Sequence, residues 1–371
     1  MAWQGKWAAL AGALATSSAM GATFVYVSNA EDGDIGMYTL AADGSLKPGE
    51  RFQAGKPVMP MTVSADKRFL IAAVRAKPFS ALSYSIDRAS GALKQVASGP
   101  LAESFPYIYL ERSGRYLLGA SYGANLVSVN RVVDGRVDEP LQVVHTARNA
   151  HAIRTDNTNR FAFVPHLGTD QVFQFLFDEK TGRLSANTPP LVQLKTGSGP
   201  RHLVFSADNR FVYLLNELTA VVTTLALDAK TGLLTEVSST SSLAPDSKLQ
   251  PGAPRLPSDP PRDRSNDIWA SDLHLTPDGR FLYAAERTSN TLNTLAVDGA
   301  SGKLTYIAST PTEAQPRGFA IDPSGRALVA SGEKSDTVSS YAIDPKSGAL
   351  RLIGKYPTGK GANWVEIVAF D

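Results

Sequence analysis

Charged and polar side chains recur in this chain at two fixed distances from a repeated arginine. Each arginine closes a similar short turn; they are Arg68, Arg115, Arg160, Arg210, Arg280 and Arg326. Nine residues before each one comes a first set of positions, which holds Met59, Pro106, His151, Arg201, Ser271 and Arg317, and Asn363 extends it near the C-terminus. Six and seven residues after each one comes a second set, which includes Arg75, Tyr122, His166, Asn216, Glu217, Glu286 and Arg287.

Gathered in one place, these side chains would suit chemistry on a polar or anionic substrate in which an oxyanion develops. Arginines can stabilise the oxyanion, and a carboxylate or a neutral imidazole can take a proton from water. The alternative for any single residue is a charged side chain on a solvated rim. Because charges of both signs collect at only two repeated positions, a common site is favoured.

Other kinds of chemistry have no support in the sequence. His151 and His166 have no carboxylate at metal-ligand spacing, and neither a Gly-rich phosphate loop nor a Gly-x-Ser-x-Gly elbow is present. Cysteine is absent, which removes thiol nucleophiles and disulfides. A net charge of +2 without a basic run argues against a nucleic-acid role. We therefore predict a small-molecule site with no metal and no cofactor.

The repeated arginines lie between apolar runs that predict β-hairpins. In one repeat, residues 202–205 and 211–215 are apolar and flank a polar turn at residues 206–209. The two strands of a hairpin are antiparallel, so the entry of the first and the exit of the second lie at the same end. Both sets of polar residues should therefore face one common mouth.

Two repeats define the architecture that would position these residues. The arginines are 47, 45, 50, 70 and 46 residues apart, as expected for four-stranded blades of a β-propeller. A second motif, D-x-x-[ST]-G-x-L with looser copies, supplies turn glycines that we expect to have positive φ: Gly44, Gly91, Gly135, Gly182, Gly232, Gly302 and Gly348. Unpaired apolar runs at residues 23–29 and 362–370 complete the last blade. The sequence predicts an all-β, seven-bladed β-propeller, closed by the C-terminal strand pairing beside the N-terminal strand.

Two segments fall outside the repeat. Residues 1–21 contain Lys6, a short apolar run and small residues, which is typical of a secretory signal peptide; the alternative is an ordered helix that caps the propeller. Residues 22–371 then form one domain. The long repeat contains a Pro- and Ser-rich insert at residues 240–266, which we expect to be a loop, either a surface decoration or a lid. We predict a periplasmic protein, monomeric or weakly dimeric, without a membrane anchor after signal cleavage.

Three segments resemble the seven-bladed propeller lactonases, the group that includes bacterial 6-phosphogluconolactonase and fungal carboxymuconate-lactonizing enzyme. They read GPRHLVFSADNRFVYLLNEL, SDLHLTPDGRFLYAAERT and PTEAQPRGFAIDPSGRALVASGEKSDTVSSYAID. The resemblance implies a lactonase, and it carries the family's proposed histidine, two arginines and glutamate onto His151, Arg201, Arg287 and Glu217. An exported member would meet an unphosphorylated lactone, for which D-glucono-1,5-lactone is the expected substrate.

The expected reaction is metal-independent hydrolysis of a sugar δ-lactone. We expect Arg201 and Arg287 to stabilise the oxyanion, Glu217 to act as the base and His151 to orient the substrate; the sequence leaves open the exchange of the last two roles. The residues expected to bind substrate are Arg317, Glu286, Asp272, Asn216, Arg75, Tyr122 and His166. The alternatives are 6-phosphogluconolactonase, a non-catalytic propeller that binds a sugar or a protein, and a metal-dependent lactonase.

Overall fold

The computed structural model describes residue 1, residues 21–255 and residues 261–370. The expected signal peptide at residues 1–21 lies outside the described residues, apart from its first and last. All regular elements in the described part are β-strands, and they form seven four-stranded antiparallel sheets. The predicted seven-bladed β-propeller is confirmed.

Blades 1 to 4 use strands from roughly the first half of the chain, together with the C-terminal strand in blade 1. The strands of each blade are given from the innermost to the outermost. Blade 1 contains β28 (Ala362–Ala369), β1 (Thr23–Asn29), β2 (Asp34–Leu40) and β3 (Leu46–Gln53). Blade 2 contains β4 (Val58–Val63), β5 (Phe69–Val74), β6 (Ser80–Ile86) and β7 (Leu93–Pro100). Blade 3 contains β8 (Tyr107–Leu110), β9 (Tyr116–Ser121), β10 (Leu126–Val133) and β11 (Arg136–His145). Blade 4 contains β12 (Arg154–Thr155), β13 (Phe161–His166), β14 (Gln171–Asp178) and β15 (Arg183–Gln193).

Blades 5 to 7 have the same order of strands. Blade 5 contains β16 (Pro200–Phe205), β17 (Phe211–Asn216), β18 (Val221–Leu227) and β19 (Leu234–Ser241). Blade 6 contains β20 (Ala270–Leu275), β21 (Phe281–Glu286), β22 (Thr291–Val297) and β23 (Leu304–Pro311). Blade 7 contains β24 (Pro316–Ile321), β25 (Ala327–Gly332), β26 (Thr337–Ile343) and β27 (Leu350–Pro357).

Blade 1 closes the ring with strands from both ends of the chain. Strand β28 pairs antiparallel with β1, with Thr23 opposite Ala369 and Val27 opposite Val365. This pairing covers an edge that β1 would otherwise present to other chains. The predicted closure of the ring is confirmed.

The hydrophobic core lies between the faces of neighbouring blades. The second strand of a blade is buried on both faces, as in β17 and β21, and these strands are correspondingly apolar along most of their length. Along much of the outermost strands, exposed positions alternate with less exposed ones, because one face meets solvent. Phe161 and Phe163 of blade 4, for example, pack with Leu203 and Val212 of blade 5.

At the end of the ring that carries the turn arginines, blades interlock through a repeated contact. The seven outer-turn glycines all have φ between 71° and 84°, as predicted. A Cβ on Gly232 would come within 2.1 Å of the Phe161 ring of the preceding blade, so glycine is required for both conformation and space. The same contact joins Gly302 to Phe211. We call this end of the ring the turn end, and the opposite end, where β16 and β20 begin, the mouth.

Candidate active site

Two polar residues follow the second strand of a blade, and the alternation of side chains along an extended chain decides which of them can face the mouth. Asn216 ends β17 and donates through Nδ2 to Val221 O and Thr223 Oγ1 of its own blade, both at 2.9 Å. Glu217, one residue later, reaches arginines of the mouth instead. Successive side chains along an extended chain point to opposite sides. The second residue of each exit pair is therefore the one that can face the mouth.

Three buried side chains form the centre of the mouth. The Oε2 atom of Glu217 accepts hydrogen bonds from Arg201 Nε at 2.8 Å and from Arg287 Nη2 at 2.9 Å. Arg201 lies in β16, and Glu217 and Arg287 directly follow β17 and β21. Both ion pairs end on the same oxygen, and within the described ranges Oε1 accepts no hydrogen bond, so it can accept one from water or substrate.

The Arg287 guanidinium is fixed by further contacts on one side. Its Nε donates to Trp269 O at 3.0 Å, and Nη2 also donates to Ala270 O at 2.9 Å. The carbon of the guanidinium lies 3.8 Å from the centroid of the Trp269 ring. Among the described residues Nη1 has no hydrogen-bond acceptor, so its N–H groups remain for a ligand.

The Arg201 guanidinium is also fixed by contacts beyond its ion pair with Glu217. Its Nη1 donates to Ser271 O and to His202 Nε2, the latter at 3.0 Å. Because arginine has no acceptor, His202 must present Nε2 without a proton, so its proton is on Nδ1. That Nδ1–H donates to Asp272 Oδ1 at 2.8 Å. The Nη2 atom of Arg201 has no protein acceptor within the described ranges and remains for a ligand.

Asp272 supports Arg201 through His202 rather than facing the mouth. Its second oxygen, Oδ2, accepts from His274 Nε2 at 3.1 Å, so two histidines use both carboxylate oxygens. Burial would raise the pKa of Asp272, but His274 and His202 outweigh it and the pKa is lowered. Sequence reasoning missed His202; its only signal is its place beside Arg201 in β16.

The pKa shifts keep the central groups in defined states at neutral pH. Burial would raise the pKa of Glu217, but Arg287, Arg201 and Arg317 outweigh it and hold the pKa below 4.5. Burial lowers the pKa of Arg201 to about 10 and that of Arg287 to about 9. The cluster is therefore a carboxylate between two guanidinium cations.

His151 lies beside this cluster, just before β12. Its ring centroid is 5.1 Å from that of His202 and 5.8 Å from that of Tyr122. Burial, and then the nearby Arg201 charge, hold the pKa of His151 well below 6.5, so the imidazole is neutral. Its Nδ1 atom is buried without a hydrogen-bond partner among the described residues.

The positive charge extends from the centre to residues of blades 7 and 2. Arg317 Nη1 lies 3.3 Å from Glu333 Oε1, and Gln315 Nε2 donates to Glu333 Oε2 at 2.6 Å. Burial, followed by the charge of Arg317, lowers the pKa of Arg75 to about 10. A second row of cations therefore borders the cluster, and Glu333 partly neutralises it.

A cavity of about 740 Å³ opens on this side of the mouth. Arg75, Tyr122, Asn125 and Arg148 are among its lining residues. This volume lies in the usual range of small-molecule sites. The structure thus brings seven sequence-predicted residues to the mouth or its border, namely His151, Arg201, Glu217, Arg287, Arg317, Arg75 and Tyr122.

Three predicted binding residues lie within the blades instead. Glu286 accepts from Trp269 N at 2.6 Å through Oε1 and from Ser289 N at 2.5 Å through Oε2, so it fixes two loops. His166 is fully buried with its ring 4.4 Å from that of Phe173. Burial lowers the pKa of His166 to about 4. Asn216 bonds within blade 5 through its side-chain amide.

Aromatic rings form a floor beneath the mouth. Tyr107 contacts His202 and Trp364 edge to face, at centroid separations of 5.0 and 5.5 Å. Beyond this floor the central channel contains a second cavity of about 220 Å³, where Arg154, His274 and Glu366 are among the lining residues. Burial raises the pKa of Glu366 to about 7.

Residues 21–255 and 261–370 contain neither a metal cluster nor a membrane-spanning helix. No group of three or more His, Asp or Glu side chains in these ranges is arranged to hold a metal ion. In the same ranges no helix is long and apolar enough to cross a membrane.

Comparisons with known proteins identify a family for the whole propeller. The family described as lactonase, 7-bladed beta-propeller, matches residues 21–367. The 6-phosphogluconolactonase of Cronobacter sakazakii is 35% identical over 347 residues, which cover 94% of this chain and 98% of that protein. The corresponding protein of Serratia proteamaculans is 35% identical over 346 residues, covering 93% and 98%. Among solved structures, the periplasmic gluconolactonase of Pseudomonas aeruginosa superposes with a TM-score of 0.83 at 31% identity, covering 94% of this chain and 99% of that one.

Proposed function

The chain belongs to the seven-bladed β-propeller lactonase family and is a lactonase, and from this premise we propose that it hydrolyses D-glucono-1,5-lactone to D-gluconate in the periplasm. The observation that carries the proposal is the buried cluster of Arg201, Glu217 and Arg287 at the mouth. The cluster offers two fixed cationic donors and one carboxylate oxygen within a single site.

The guanidinium groups bind the lactone carbonyl. Arg201 Nη2 and Arg287 Nη1 donate to the carbonyl oxygen, which becomes an oxyanion when water adds. Each such donor is typically worth about 3 kcal/mol in the transition state. Because Glu217 and backbone carbonyls already hold both arginines, little reorganisation is needed as the charge develops.

Glu217 accepts the proton of the attacking water through Oε1. The water oxygen bonds to the carbonyl carbon, and the tetrahedral intermediate then collapses with cleavage of the bond to the ring oxygen. The ring oxygen takes up the proton held by Glu217, which restores the carboxylate, and the new carboxylic acid ionises and releases its own proton. A base in the correct position contributes about 10²- to 10⁴-fold, which is enough for a lactone that also opens spontaneously.

His151 orients the substrate as a neutral imidazole. Burial and the Arg201 charge disfavour its protonated form, so it adds no further cation to the site. It lies against Tyr122, which borders the mouth cavity. In the exchanged assignment His151 is the base and Glu217 only clamps the arginines; a folded Glu217→Gln protein that keeps most of its turnover would favour that exchange.

Two features favour the free lactone over its 6-phosphate. Residues 1–21 have the composition of a secretory signal peptide, and a solved structure at 31% identity is a periplasmic gluconolactonase. The second candidate is 6-phosphogluconolactonase. It is favoured by relatives of that name at 35% identity and by Arg75 and Arg317, which could bind a phosphate.

The test is proton release from freshly dissolved glucono-1,5-lactone and its 6-phosphate, in weak buffer with a chelator. Faster enzymatic opening of the free lactone is the expected result. A clear preference for the 6-phosphate would replace the proposal with the second candidate. A parallel assay without chelator is the control. Activity found only in that assay would point to a metal-dependent lactonase, and no acceleration of either substrate in both assays would favour a binding propeller.

A further inference from the structure

The first half of the insert at residues 240–266 is attached to the mouth. Gly252 N donates to Leu218 O at 2.8 Å, one residue beyond Glu217. A Cβ on Gly252 would lie 2.3 Å from Ile268 O, so only glycine allows this close approach. Gln250 also pairs with the strand-like segment before β20, where Ile268 N donates to Gln250 O at 2.8 Å. The insert is therefore held between the exit of β17 and the entry of β20.

This attachment brings Arg255 onto Trp269. The guanidinium carbon of Arg255 lies 3.7 Å from the centroid of the Trp269 ring, and that of Arg287 lies 3.8 Å from the same centroid. Two guanidinium groups this close to one centroid must occupy opposite faces of the ring. The Trp269 ring is thus stacked between Arg255 of the insert and Arg287 of the site.

Trp269 also binds Arg287 through its backbone. Its carbonyl oxygen accepts from Arg287 Nε at 3.0 Å, and its own N–H is fixed by Glu286 Oε1 at 2.6 Å. Movement of the ring would therefore change the plane in which Arg287 presents Nη1. Arg255 covers the face of the ring opposite Arg287.

We propose that Arg255 is a positioning residue for lactone hydrolysis, acting through Trp269 on Arg287; this inference rests on the role proposed for Arg287. Stacking of a planar guanidinium on an indole restricts the ring and keeps water from that face. Residues 250–255 of the insert then lie beside the active site, and their contribution lies in the orientation of a transition-state donor rather than in substrate affinity.

The test is a double-mutant cycle with kcat and KM measured on glucono-1,5-lactone. Arg255→Ala is expected to lower kcat about fivefold with KM changed less than about twofold, the size of one cation–π contact. In the Trp269→Leu background the same substitution is expected to have no further effect, because the path to Arg287 is already broken.

The matched control is Lys248→Ala, which removes an exposed cation from the same insert without touching the stack. It is expected to leave kcat and KM unchanged. An unchanged kcat in Arg255→Ala, or an equal loss in the Trp269→Leu background, would overturn the inference. If Arg287→Lys itself retained full activity, the proposed function of Arg287 would fail instead, which keeps the two outcomes distinct.

Discussion

Arginines form ion pairs at both the turn end and the mouth, but they are exposed at the turn end and buried at the mouth. At the turn end Arg210 and Arg280 are both 54% exposed, and each binds a carboxylate two residues earlier in the chain. At the mouth Arg201 and Arg287 are 1% and 2% exposed, and both bind Glu217. The turn-end ion pair recurs in blade 2, where Arg68 binds Asp66, whereas the cluster at the mouth is built by blades 5 and 6.

The difference distinguishes residues that stabilise turns from the residues to which we assign chemistry. An exposed ion pair contributes about 0–1 kcal/mol, and its loss in one blade leaves the copies in other blades. Removal of one partner from a buried pair costs about 3–5 kcal/mol, because a charge remains buried without compensation. A protein retains such a cluster where its charges have a function, and the function we propose for this one is oxyanion binding.

The largest expected effect is that of Glu217→Gln. It removes the proposed base and leaves two buried guanidinium groups without their carboxylate, so we expect kcat to fall at least about 10²-fold. The measurement is proton release by pH-stat, with thermal unfolding followed by circular dichroism to show that the fold survives. The matched control is Asp208→Asn, which breaks the exposed pair with Arg210 and should keep wild-type kcat. Near wild-type turnover of a folded Glu217→Gln protein would remove Glu217 from the mechanism.

The next effect concerns the donors themselves. Arg287→Lys keeps the positive charge but removes the planar guanidinium, which bonds Glu217 and Ala270 O and is proposed to bond the substrate. We therefore expect kcat/KM to fall about 10²-fold. Arg280→Lys makes the same change at the turn end and should leave kcat/KM within about twofold. Equal effects of the two substitutions would contradict the distinction between the two ends.

A smaller effect is expected from Asp272→Asn. The amide offers one acceptor oxygen where two imidazole N–H groups, of His202 and His274, now bind two. One imidazole must turn, and loss of the His202 orientation would remove one of the two acceptors of Arg201 Nη1 and leave only Ser271 O. We expect kcat to fall about tenfold while KM changes little, measured on glucono-1,5-lactone. An unchanged kcat would show that the His202 support is dispensable.

The smallest expected effect is on the pH profile. The pKa of His151 is held well below 6.5 and that of Glu217 below 4.5, so both stay deprotonated as pH falls from 7.5 to 5.5. The value of kcat/KM should therefore stay flat in this range, after subtraction of the spontaneous rate. A histidine base with the ordinary pKa of 6.5 would lose about tenfold by pH 5.5. Such a loss would contradict the neutral, buried His151.

The repeats in the sequence were sufficient to predict the fold. Each blade repeats the same local geometry, which the sequence marks with seven turn glycines and six arginine-centred hairpins. The unpaired apolar runs at the chain ends imply that β28 closes the ring. Hydrogen-bond register then follows from the alternation of apolar residues. No contact between distant residues was needed for this prediction.

The site was predicted only in part, because the repeat locates positions within a blade but not the contacts between blades. Counting from the repeated arginine located Arg201, Glu217 and Arg287, but it also selected Asn216 and Glu286, because counting alone does not say which of two consecutive side chains faces the mouth. The contact of His202 with Asp272 joins two blades, and its distance depends on how those blades pack. The stack of Arg255 on Trp269 depends on the path of an insert that has no repeat to align it.

The most direct test of the central claim is a crystal structure of the protein with the δ-lactam analogue of glucono-1,5-lactone, whose amide resists hydrolysis. We expect the lactam carbonyl oxygen within roughly 3 Å of Arg201 Nη2 and Arg287 Nη1, with the ring toward the Arg75 and Tyr122 cavity. A lactam bound in the inner channel beside Arg154 and Glu366, with the Arg201–Glu217–Arg287 cluster untouched, would contradict it.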